Sequence, residues 1–198
     1  NQYFVFGYYN RSFSMKADKI IKESLKVLIV GSLLSSIGGL GLESVKDKFA
    51  MFLPLMIILP AMASMIGNAG IVLVSKITTF LALGKIRHDN LNNRLVRKLF
   101  FQLTFVFILT AIYATFLSIF VGMWKGFIFS WDFTLKMIFV VLATTLFIVF
   151  LVFCVALIGG RYAYKKKIDP DDLLIPITTS VADLGSFILF ALLIFLVF

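Results

Sequence analysis

The sequence predicts an all-α integral membrane protein with five transmembrane helices, and three observations carry that prediction. Hydrophobic residues make up 61% of the chain and charged residues only 15%, with a mean hydropathy of +1.02; a soluble domain of 198 residues needs no such apolar surface. The apolar runs are continuous rather than alternating, so helices and not barrel strands are the spanning elements. The basic residues fall in loops that flank those runs. A net charge of +9 therefore reads as positive-inside flanks and not as a nucleic-acid surface. The single cysteine, Cys154, rules out a disulfide framework within the chain. With one histidine, His88, in a basic loop, zinc and copper sites lack ligands, and so does a Ser-His dyad. No enzyme chemistry is visible.

Taken in order, Asn1 to Phe13 carries Tyr3, Phe4, Phe6, Tyr8 and Tyr9, residues that suit a headgroup region. The chain begins without Met, and this stretch has no signal-peptide pattern. Lys16, Lys19, Lys22 and Lys26 follow at helical spacing. Residues 1–26 thus read as an aromatic, basic, amphipathic cytoplasmic lead-in on an anionic leaflet; a solvated helix face reads almost as well. The transmembrane module occupies residues 27–198.

The first span covers about Val27 to Leu42, with Gly31, Ser35 and Gly39 four apart as a small-residue stripe for close helix contact. Glu43 closes it, either as an interfacial carboxylate or as part of a charged ring at a pore mouth. The second stretch, Phe49 to Gly84, holds Pro54, Pro60, Gly67, Asn68 and Gly70. It is too long for one simple span and predicts a kinked or broken helix. The third span, about Leu99 to Val121, and the fourth, about Leu135 to Gly159, are nearly free of polar groups and serve packing and lipid contact. Gly159-Gly160 is expected to end the fourth. The fifth begins near Leu173 and runs to Phe198, again interrupted, by Pro176 and Gly185.

Five spans put the termini on opposite sides. Fourteen of the 19 basic residues fall in the N-terminal segment and in the second-to-third and fourth-to-fifth loops, against Lys46, Lys48, Lys125 and Lys136 across the membrane. The N-terminus is therefore cytoplasmic and the C-terminus external, in a multi-pass protein of the cell membrane.

Within the fifth span Asp183 is the only ionisable side chain from Leu173 onward. Ten residues into that run it sits about 15 Å deep, near the middle of a ~30 Å hydrocarbon core. An aspartate there costs on the order of 3 kcal/mol, and a bundle interior, a water-filled cavity or a bound cation must offset it. A protonated carboxyl bonded to a neighbouring helix is the plainer alternative. Thr178 and Thr179 precede it, and Pro176 and Gly185 bracket it. A weak echo links the two punctuated stretches: Pro54 and Pro60, like Pro170 and Pro176, are six apart, and Gly67 and Asp183 each follow seven residues later. The stretches run in opposite directions, the arrangement that marks ion sites in transporters built from broken helices. Asn68 should lie closer to the cytoplasm than Asp183. The candidate donors, Asp183, Asn68, Thr178, Thr179 and freed carbonyls, are all oxygens and suit a hard cation. Mg²⁺, which keeps several waters, fits best. One carboxylate per chain is enough for a hydrated ion if two copies meet on a two-fold axis.

The run Asp169-Pro170-Asp171-Asp172, Ile175-Pro176, Thr178-Thr179 and Asp183-Leu184-Gly185 resembles the last-helix signature of the MgtE-type magnesium transporters and of their animal relatives, solute carrier family forty-one. Pro60, Gly67-Asn68 and Val74 to Thr79 resemble that family's second-helix motif, with Ile66 where bacterial members carry a further glycine. The resemblance implies a five-helix module with a cation pore between two copies. It places Asp183 in the pore, with Asn68 and Glu43 near the path. It also implies a homodimer, since the 198 residues contain one module. The function expected is Mg²⁺ transport, with Na⁺- or H⁺-coupled exchange and a non-transporting assembly subunit as alternatives.

Overall fold

The computed structural model describes residues 17–85, 94–166 and 170–198. The aromatic lead-in before Ala17, Arg87 and His88, and Lys167 and Asp169 lie outside the described residues. The described chain is all helical: α1 Ala17–Glu43, α2 Lys46–Met51, α3 Leu53–Ala82, α4 Arg94–Trp124, α5 Trp131–Lys166 and α6 Pro170–Val197. Among the described residues α3, α4, α5 and α6 are long and apolar enough to cross a bilayer, while the apolar part of α1, Leu28–Glu43, is shorter. The fold is thus four candidate spans plus one shorter apolar helix.

The second apolar stretch divides early. Phe52, at φ −121° and ψ 85°, separates α2 from α3. Pro54 then sits in the first turn of α3, where a missing N–H costs nothing because that turn has no acceptor for it. Beyond that point the expectation of broken helices is corrected. Both α3 and α6 continue through Pro60 and Pro176, and Gly67 and Gly185 lie inside them as well. An interior proline removes one backbone bond and crowds one carbonyl. Pro60 lies on an exposed face of α3. In α6 the hydroxyls of Thr179 and Ser180 donate to the Pro176 carbonyl at 3.0 and 2.7 Å, in the turn that follows the missing bond.

A second correction concerns Gly159-Gly160, which do not end the fourth span. α5 runs on to Lys166, and the two glycines are contact points within it. A Cβ at Gly159 would fall 2.2 Å from Leu174 Cδ2, and one at Gly160 3.4 Å from Ile77 Cγ2. The glycines that do end helices are Gly84 (φ 65°) and Gly126 (φ 96°). Lys85 N–H reaches back to the Phe80 carbonyl and Phe127 N–H to that of Gly122, each at 3.0 Å. This is the left-handed cap that glycine adopts without strain.

α6 is the central helix, packed on α1, α3 and α5, with α4 on the far side against α3 and α5. Contacts along the chain give the directions. Gly31, Gly38 and Gly41 lie against Ser180, Leu184 and Ile188 in turn, so α1 and α6 are parallel. Gly70 meets Thr178, while Phe52 meets Phe198 at 5.6 Å, so α3 and α6 are antiparallel. The opposed directions read from the sequence are observed. Leu55, Ile58, Met62, Ile66, Leu73 and Ile77 of α3 are fully buried with Met137, Val140 and Ile148 of α5 and Phe190 and Ile194 of α6. Phe52, Phe133 and Phe198, with ring centroids 5.0 to 5.6 Å apart, close one end of this core, where Lys48 Nζ also donates to the Phe198 carbonyl. The outer face of α4 exposes Phe101, Phe105, Leu109, Tyr113, Phe116 and Phe120, an aromatic stripe suited to lipid.

Candidate functional site

Asp183 is the fourteenth of 28 residues in α6, about 20 Å from either end of the helix. It is partly buried, on the side of α6 that meets α1. Its carboxylate accepts one hydrogen bond, 3.2 Å from Ser35 Oγ to Oδ2. Among the described residues no Lys or Arg pairs with it, and none of these residues forms a His, Cys, Asp and Glu cluster able to hold a metal alone. The carboxyl is thus bonded to a neighbouring helix yet not sealed from its surroundings.

The two threonines before it are differently placed. Thr178 is fully buried at the crossing of α6 with α3, where a Cβ added at Gly70 would lie 2.9 Å from its Oγ1. Its hydroxyl donates to the carbonyls of Leu174 (2.7 Å) and Ile175 (3.1 Å). Thr179, partly exposed, donates to Ile175 at 3.0 Å. Both protons are thus spent within α6, which leaves only hydroxyl lone pairs for any other partner. Ser180 is turned toward Gly31 of α1, and the Ser186 hydroxyl donates to the backbone carbonyl of Asp183 at 3.0 Å. Gly185 faces α5, where a Cβ would come 2.8 Å from Ile148 Cδ1. It is a packing residue inside a continuous helix.

Asn68 is nearer in depth to Asp183 than its place in the sequence suggests. Because α2 takes up the start of the stretch and Gly70 lies opposite Thr178, Asn68 is level with about Ser180, some 5 Å from Asp183 toward the N-terminal end of α6. It does not face Asp183 within one chain. Two residues from Gly70 is a rotation of about 200° around α3, and Asn68 is exposed. It shares its open face with Pro60, Ala61 and Ser64. Gly67, on the flank of that face, has open space around it. Glu43 is exposed at the end of α1, 3.8 Å from Lys46. The geometry brings it to no other site residue.

Sequence reasoning missed the part that Ser35, Gly38 and Gly70 play. The stripe on α1 is Gly31, Ser35 and Gly38, while Gly39 has nothing within 4 Å. The reason is angular: four plus three residues return to the same face of a 3.6-residue helix, whereas four plus four drift about 80° off it. The signal was present in Gly38-Gly39, but choosing between them needs the partner helix.

A bundle of candidate membrane-spanning helices whose central helix carries a carboxylate at mid-length, without a cationic partner among the described residues, has the framework of a protein that handles ions within the membrane. The profile of the MgtE family, described as a divalent cation transporter, matches residues 59–193, from the second turn of α3 almost to the end of α6. The chain belongs to the MgtE family of divalent cation transporters; it is a multi-pass membrane transporter and not an enzyme. No curated protein and no solved structure matches it.

Proposed function

We propose that this chain carries Mg²⁺ as a hydrated ion, along a path that passes the Asp183 carboxylates of two copies. The observation that carries this reading is the state of Asp183: a carboxylate at mid-membrane depth whose hydrogen bond comes from a neutral hydroxyl and not from a cation. A negative charge in that position is stabilised by a mobile divalent ion, and Mg²⁺ is commonly held through one or two carboxylates with its remaining waters kept. Each Asp183 contributes one such group, so a pair across a two-fold axis supplies two.

The partner is a second copy. The outer face of α4 exposes Phe101, Phe105, Leu109, Tyr113, Phe116 and Phe120, with Gln102 in its first turns and Thr110 donating back to the Val106 carbonyl at 2.6 Å, whereas the exposed face of α3 presents Ser64 and Asn68 beside Pro60 and Ala61. Lipid tails offer these polar groups no hydrogen bonds, and small residues allow close helix approach. This face of α3 therefore meets its equivalent in the dimer and brings Asn68 to the path as a ligand acting through the ion's water. α1 crosses beside α6 and in the same direction, which gives five spans with a cytoplasmic N-terminus and an external C-terminus. Thr178 and Thr179 brace the helix wall next to Asp183, and Glu43 lies at the outer mouth.

The test is Mg²⁺ flux in vesicles reconstituted with purified protein. Asp183→Ala is expected to abolish flux while leaving the protein folded and dimeric. Undiminished flux in a folded variant removes Asp183 from the mechanism.

A further inference from the structure

We propose that Ser35 is the positioning residue for Asp183: its hydroxyl holds carboxylate oxygen Oδ2 and turns the other oxygen toward the approaching hydrated cation. The proposal rests on the reading of Asp183 as the carboxylate that attracts the ion.

Three serines fall close together on α1, and they behave differently. Ser32 Oγ donates to the Ile29 carbonyl at 2.9 Å and Ser36 Oγ to the Ser32 carbonyl at 2.8 Å, both within their own helix. That is the default for a hydroxyl in a membrane helix. Ser35 instead reaches across to α6, 3.2 Å from Asp183 Oδ2. A charge-bearing acceptor is the stronger partner, so the hydroxyl's choice is directed.

The serine side chain is short and reaches only because the helix axes are close. Gly31 and Gly38, one turn to either side, let them approach: a Cβ at Gly31 would sit 2.5 Å from Ser180 Oγ, and one at Gly38 3.0 Å from Leu184 Cα. α1 packs chiefly on α6 and leaves Leu28, Leu33, Ile37 and Leu40 exposed. The seam around Ser35 is therefore what attaches the helix. Ser35 also lies outside the residues that match the family profile. A neutral donor suits the task better than a lysine would. It restricts the rotation of the carboxylate without cancelling the charge that the ion's waters must meet.

The experiment measures Mg²⁺ flux into reconstituted vesicles as a function of Mg²⁺ concentration. Ser35→Ala is expected to raise the half-saturating concentration about tenfold, in keeping with the loss of one hydrogen bond to a charged group, with maximal flux changed by less than about twofold. Ser35→Cys, similar in size but a weak donor, is expected to follow the alanine variant. An impaired Ser35→Ala beside a normal Ser35→Cys would assign the effect to packing and overturn the proposal. So would an unchanged half-saturation in both. Where Ser35→Ala fails to fold, a normal half-saturation in Ser35→Cys overturns it alone. Asp183→Ala in the same assay separates the two claims. Flux that survives there removes the underlying reading of Asp183, whereas flux lost there with normal Ser35 variants removes only the role of Ser35.

Discussion

Gly38 and Gly39 are adjacent in sequence and chemically identical, yet replacing each with alanine should have opposite consequences. A Cβ at Gly38 would lie 3.0 Å from Leu184 Cα and 3.2 Å from Phe187 Cδ2, whereas one at Gly39 meets nothing within 4 Å. Leu184 Cα is backbone and cannot rotate away, so α1 must retreat by roughly 0.5–1 Å to restore ordinary carbon contact. That retreat lengthens the 3.2 Å bond from Ser35 to Asp183, taking it beyond hydrogen-bonding range. Overpacking of this kind costs about 1–3 kcal/mol. Both substitutions also gain helix propensity, about 0.5–1 kcal/mol each, a contribution that cancels when the two are compared. The difference between the variants therefore isolates the α1–α6 contact, and by the scaling for folded domains it amounts to about 2–4 °C per kcal/mol in Tm. Thermal unfolding of the purified protein in one detergent checks it, with Gly38→Ala expected below the unaltered protein and Gly39→Ala equal to it or above. Equal Tm values for the two variants, or a lower one for Gly39→Ala, would refute the parallel packing of α1 on α6.

Two further outcomes test other parts of the structure. Phe190 is fully buried among α6 and its neighbours while Phe195, on the same helix, is 69% exposed; Phe190→Ala should cost about 3–5 kcal/mol and Phe195→Ala no more than about 0.5 kcal/mol, read by the same unfolding assay. The dimer is tested by cross-linking. After Cys154→Ala removes the single native cysteine, Ser64→Cys on the open face of α3 should form a disulfide between copies under oxidation, and Leu109→Cys on the outer face of α4 should not. Failure at position 64 together with success at position 109 would move the partner from α3 to α4.

Much of this protein is written in one dimension. A bilayer has a fixed thickness, so each long apolar run is legible as a helix whatever its neighbours do, and α3 to α6 appear where composition places them. The lone carboxylate of the last helix is legible for the same reason: depth follows from counting residues at a constant rise. The motif around Asp183 led to the family that the profile match establishes. Rotation is another matter, because it depends on which helix lies alongside. Gly159 and Gly160 look like a stop signal until Leu174 and Ile77 are found against them. Pro60 and Pro176 look like breaks, yet each sits inside a continuous helix. Only the tertiary structure chose Gly38 over Gly39, turned Asn68 away from Asp183 within one chain, and set the Ser35 hydroxyl against a carboxylate 148 residues away in sequence. The physical reason is that hydropathy adds up along a chain, while a contact needs two surfaces. Which faces meet is decided by the tilt, rotation and spacing of helices, none of which a single run of residues contains.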